Sequence, residues 1–156
     1  MVAKSRRARP APVQVAIRWR RQRVSPRFVQ RAVAATLRAE RRRLVLSVVL
    51  VDDAEIHRIN REFLGHDYPT DVIAFPLGAA SAPGDVEGEI YVSGDHACQQ
   101  ARGRAHGWRA ELALYLVHGT LHLCGHDDHA PAARTRMLAR EQAVLRRLGY
   151  AVRDRR

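Results

Sequence analysis

The sequence predicts an α+β fold in which one mixed four-stranded sheet packs with helices around a single helix buried at the centre. Three observations carry that expectation. Four segments of strand character are interspersed with helical ones and followed by further helices. The stretch from Leu112 to Gly125 contains no Asp, Glu, Lys or Arg, as a helix enclosed on all sides requires. The 156 residues suffice for one core but not for two full-sized domains. The expected organisation is a disordered basic tail over residues 1–12 and one domain over 13–150.

Taken in order, Val13 to Ile17 alternates with period two and reads as a strand, an edge strand given the arginines after it. Ser25 and Pro26 offer a cap and a first-turn proline to a helix ending near Arg41, with Phe28, Val29, Ala32, Val33 and Leu37 on its apolar face. Leu44 to Val51 is almost continuously apolar and β-branched, the mark of a strand covered on both faces. Asp52 and Asp53 can cap a short helix from Ala54 to Phe63. Turn residues from Gly65 to Thr70 lead into a third strand, Asp71 to Pro76, and Leu77 to Gly84 reads as a surface loop. Gly88 to Ser93 is the fourth strand. Helices follow from Ser93 to about Arg104, from Trp108 to Cys124, and from Pro131 to Leu148, where Gly149 stops the last.

On the apolar helix His118 and His122 are four residues apart, so both imidazoles project from one face at a spacing that one tetrahedral ion can bridge. Gly125 breaks the helix and His126-Asp127-Asp128-His129 follows at once, a turn full of candidate third ligands. The central helix is therefore expected to be metal-binding. Gly119 stands where the H-E-x-x-H peptidase motif carries its glutamate, which counts against a peptidase. A glycine there permits close approach of a substrate or backbone, or simply tight helix packing. His57, His66, His96 and His106 lack a ligand-spaced partner and read as surface or packing residues, and Cys124 reads as a small buried apolar group.

Charge narrows the partner. Twenty-seven Lys and Arg against 16 Asp and Glu leave +11, which favours a polyanion such as nucleic acid. Arg18, Arg20, Arg21 and Arg23, with Arg6, Arg7 and Arg9 of the tail, form a candidate phosphate-tracking face. Trp19 among them reads first as a partly buried residue and second as a base-stacking platform. Two cysteines without an apolar leader point to a reducing, cytoplasmic setting, and no apolar run reaches the roughly 18 residues that span a bilayer.

From His118 to Asp127 the chain resembles the H-G-x-L-H-L-x-G-[YH]-D-H signature of the YbeY family of bacterial endoribonucleases, the rRNA maturation factors. Asn60 through Pro76, including Pro69-Thr70-Asp71-Val72, is similar to the family's N-x-x-[FY]-x-x-x-D-x-P-T-D-V-[LI]-x-F-P segment, and Gly88 to Ser93 to its G-[DE]-I-x-[IV]-S strand. The resemblance covers about Leu44 to Leu148. It implies one zinc ion per chain, held by three side chains in a cleft near Pro69 to Val72. It also implies cleavage of single-stranded RNA in maturing the 3′ end of small-subunit (16S) rRNA and in ribosome quality control. The implied partners are single-stranded RNA, rRNA and the small ribosomal subunit, with no membrane and no DNA.

Two positions depart from the signature. The third ligand, a histidine in the family, falls on Asp128 when the segment is read without a gap; His129 is the alternative. Leu64 stands where many members carry an arginine proposed to act in RNA cleavage, and Arg61, one helical turn earlier, is a candidate to supply that charge. Asp127 is a candidate to orient a metal-bound imidazole or move a proton, and Asp71 to face the cleft. Two competing readings stay open: a ribosome-associated RNA-binding factor with a structural metal, and a metal-dependent hydrolase of another substrate, peptide included.

Overall fold

A computed structural model of the chain describes residues 13–78 and 85–152. The tail expected over 1–12 and most of the loop expected after Leu77 lie outside these. Four strands, β1 (Val13–Ile17), β2 (Arg43–Val51), β3 (Val72–Pro76) and β4 (Asp85–Ser93), form one sheet in the order β1-β2-β4-β3. β1 and β4 run parallel to β2, and β3 runs antiparallel to β4, so the sheet is mixed. The helices are α1 (Pro26–Glu40), α2 (Asp53–Ile59), α3 (Gly94–Ala101), α4 (Trp108–Leu123) and α5 (Pro131–Leu148).

Local chemistry sets most boundaries. The Ser25 hydroxyl accepts from the Phe28 N–H at the start of α1, and the Asp52 carboxylate accepts from the Glu55 N–H at the start of α2. Gly149, at φ 88°, closes α5 in the left-handed conformation that only glycine adopts at little cost. The helix expected from Ala54 to Phe63 is instead α2 followed by one turn of π-helix, Asn60–Leu64. That wider turn carries one residue more than an α-turn and leaves Phe63 and Leu64 facing solvent. α3 ends three residues before the expected Arg104.

The main core lies between one face of the sheet and α1, α4 and α5. α4 is its centre, with Ala110 to Leu121 buried without interruption. A smaller cluster of Val49, Val51, Ile56, Ile59 and Ile73 seals the other face beneath α2. β2 is thus covered on both faces only in its second half, for Val45 is 60% exposed. Trp19, 2% exposed, donates through Nε1 to Asp95 Oδ1 at 2.9 Å and meets Trp108 edge-on, which removes it as a stacking platform. Among the described residues no helix is long and apolar enough to cross a membrane.

Candidate metal centre

The last two turns of α4 lie against β3 and β4. Gly119 is the reason they can: a Cβ there would stand 3.0 Å from Val72 Cγ2 and 3.3 Å from Ile90 Cγ2. Helix-to-sheet packing, and not approach of a substrate, accounts for this glycine. With that face seated on the sheet, His118 and His122 turn toward the start of β3 and the α4–α5 turn.

Their ring nitrogens are committed in a telling way. His118 Nδ1 is hydrogen-bonded to the carboxylate of Glu141 on α5, and His122 Nδ1 lies 2.9 Å from the backbone carbonyl of His126. Both partners are acceptors, so both Nδ1 atoms carry the hydrogen and both Nε2 atoms present a lone pair. Those two Nε2 atoms stand only 2.9 Å apart. Two lone pairs that close are relieved by a cation between them, either a shared proton or a metal ion. Asp128 brings Oδ2 to 3.7 Å from His118 Nε2 and Oδ1 to 3.8 Å from His122 Nε2, so the three side chains offer ligand atoms within 4.8 Å of one another. The spacings bracket the roughly 3.3 Å edge of a tetrahedron with bonds of about 2.05 Å. Burial, and after it the neighbouring His118, hold the His122 imidazole below its ordinary pKa, which keeps it in the neutral, ligating form near pH 7.

The structure brings Asp128 to the histidines and leaves His129 outside, its side chain 91% exposed and directed toward Asp127. Asp127 does not orient an imidazole, because its Oδ1 accepts from the His129 N–H at 2.7 Å and so fastens the turn that delivers Asp128. The orienting groups are Glu141 and the His126 carbonyl. Glu141 escaped the sequence reading, although it shares the buried stripe of α5 with Met137, Val144 and Leu145, and a carboxylate on a buried stripe is the signal that marks it. His126 itself pairs with Glu40 of α1 at 2.9 Å.

Two clefts flank the centre. One, about 510 Å³, is lined by Asp71, His118, Asp128, Arg134 and Glu141. Arg134 donates through Nε to the Asp128 carbonyl at 3.1 Å, which sets its guanidinium beside the ligand turn. Asp71 Oδ1 accepts from the Val72 N–H and the Thr70 hydroxyl at the mouth. The second cleft, about 410 Å³, is lined by Leu64, Tyr68, Thr70 and His122 among others. Arg61 lines neither cleft; it is exposed, 4.0 Å from Asp67.

The arginines after β1 sit at the sheet edge opposite β3, away from the histidines. Arg18 pairs with Glu55 and Arg21 with Asp95, while Arg20 and Arg23 point to solvent. Arg6, Arg7 and Arg9 lie outside the described residues. Cys124 does not join the group formed by His118, His122 and Asp128, and burial pushes its thiol up to about 11.

The chain is similar to known proteins over most of its length. The family model described as Endoribonuclease YbeY matches residues 15–149. A relative of that name from Rhodopirellula baltica is 46% identical over 124 residues, 78% of this chain and 63% of its own length. Another, from Chlorobium luteolum, is 39% identical over 82% of this chain and 92% of its own length. The solution structure of TM1509 from Thermotoga maritima shares the fold at a TM-score of 0.57 and 22% identity, covering 88% of this chain and 91% of that one. With the family pattern running through the whole sheet and every helix of the core, the chain belongs to the endoribonuclease YbeY family.

Proposed function

We propose that this member of an endoribonuclease family is a zinc-dependent, single-strand-specific endoribonuclease. Its proposed task is to mature the 3′ end of small-subunit (16S) rRNA and to act in ribosome quality control, in the cytoplasm, as one domain over 13–150. The observation that carries the reading is the pair of Nε2 lone pairs 2.9 Å apart with Asp128 beside them, opening into two clefts. Two imidazoles and a carboxylate are ordinary zinc donors, and hydrolysis of a phosphodiester requires no redox metal. Bound zinc would supply a water of lowered pKa and a Lewis acid for a phosphoryl oxygen.

The chain's own residues do the rest. Glu141 holds the His118 ring and, as a buried carboxylate, offsets positive charge at the centre. Asp128 is 37% exposed at its side chain, so the centre opens toward its clefts and is not closed like a structural site. Arg134 lines the cleft beside His118 and Asp128, where it would meet a phosphate, and takes the charge role expected of Arg61. Arg20 and Arg23, with the net charge of +11, support a strand of RNA running beyond the site.

The test is cleavage of a short single-stranded fragment from the 3′ region of 16S rRNA by the wild-type chain and by the double variant His118→Ala/His122→Ala. Bound zinc and circular dichroism are measured for both. Loss of zinc and of cleavage together, with the fold retained, is the expected result. Equal cleavage by a zinc-free variant overturns it, and zinc-loaded wild-type protein that binds RNA without cutting favours a structural metal.

A further inference from the structure

The cleft on the His122 side has walls that hydrolysis alone does not call for. Tyr68 is 54% exposed and Leu64 46% exposed, and both line the cleft. Large exposed apolar groups that converge on one concavity mark a binding surface. His66 stacks on Tyr68, with ring centroids 5.4 Å apart and planes within 8°. The phenol ring is thus backed on one face by a second ring.

The loop is held firmly enough to keep the rings in place. Buried Asn60 donates through Nδ2 to the Tyr68 carbonyl at 2.9 Å, and its own carbonyl accepts from the His66 N–H at 3.2 Å. Gly65, at φ 71°, makes the reversal between them. The π-helical turn carries Leu64 outward to the same cleft. With Leu64 in place of an arginine, this wall carries an aliphatic side chain beside Tyr68, while the cation Arg134 lies in the other cleft.

We propose that Tyr68, backed by His66, is a stacking platform for the base of the nucleotide adjoining the cleaved phosphate, so that the Tyr68 cleft takes the base and the Arg134 cleft takes the backbone. The inference rests on the ribonuclease reading above. Stacking on an aromatic face requires an unpaired, splayed base, and this makes Tyr68 a determinant of single-strand selectivity. A base fits better than a protein partner because the rings border a concavity shared with His122 and do not form a flat, separate face.

Steady-state cleavage would compare wild type, Tyr68→Phe, Tyr68→Ala and a control, Leu77→Ala, whose exposed side chain lies outside the cleft. Each is assayed on intact single-stranded RNA and on RNA made abasic at either nucleotide next to the cut. Tyr68→Ala should raise KM about 10–100-fold with bound zinc as in wild type, and Tyr68→Phe should restore it. An abasic site at one of the two positions should cost the wild type a similar factor and add nothing in Tyr68→Ala. A 2-aminopurine at that position should be quenched on mixing with wild type and Tyr68→Phe, before cleavage, and not with Tyr68→Ala. Losses that multiply, or an equal loss in Leu77→Ala, overturn the platform. If wild type cuts no RNA, the ribonuclease reading falls and the platform with it. If wild type cuts and Tyr68 is indifferent, only the platform falls.

Discussion

Glu141 governs the centre without standing in the ligand set. Its carboxylate fixes the tautomer of His118, and a neutral amide in its place would hold the ring with a weaker, uncharged acceptor. Glu141→Gln is therefore expected to lower zinc affinity about 10–100-fold, read by competition with a chromophoric chelator. Cys124 offers a second measurement at this scale. Burial raises its thiol from the ordinary 9.0 to about 11, so at pH 8 its thiolate is about 100-fold scarcer than an ordinary one. Labelling of a Cys98→Ser variant by Ellman's reagent at pH 8 should be slowed by about that factor. Because the unfolded chain ionises first, this thiol's stabilising effect is complete below pH 9 and declines as pH rises toward about 11.

Among the elements, the turn between α4 and α5 decides which side chain completes the candidate ligand set. Asp127 accepts from the His129 N–H, and this closure swings Asp128 inward and His129 out. Asp128→Ala should lose most of its zinc and His129→Ala should keep it, as measured by metal content after dialysis. The α3 start is an equally sharp case. A Cβ on Gly94 would stand 2.2–2.5 Å from the indole carbons of Trp19, a ring pinned by Asp95 and Trp108. Gly94→Ala is expected to cost about 3 kcal/mol in urea denaturation.

At the scale of the whole molecule, a metal held by His118, His122 and Asp128 would join α4 to the turn before α5 and act as a clasp. Zinc at about 100 times its dissociation constant adds about 2.7 kcal/mol, so chelation with EDTA should lower Tm by about 5–10 °C. By itself the sequence determined the α+β class, the four strands, the central helix and the histidine pair, because periodicity, caps and i,i+4 spacing are local quantities written into neighbouring residues. The buried run around His118 could be only an enclosed helix. Only the folded turn decided which of Asp128 and His129 faces the pair, through the hydrogen bond from the His129 N–H to the Asp127 carboxylate. Tertiary structure likewise chose Glu141, 23 residues from His118, over adjacent Asp127 as the orienting carboxylate, and took Trp19 out of the arginine surface into the core. The last two are contacts between segments distant in the chain, where orientation depends on how the elements pack and no local pattern records it.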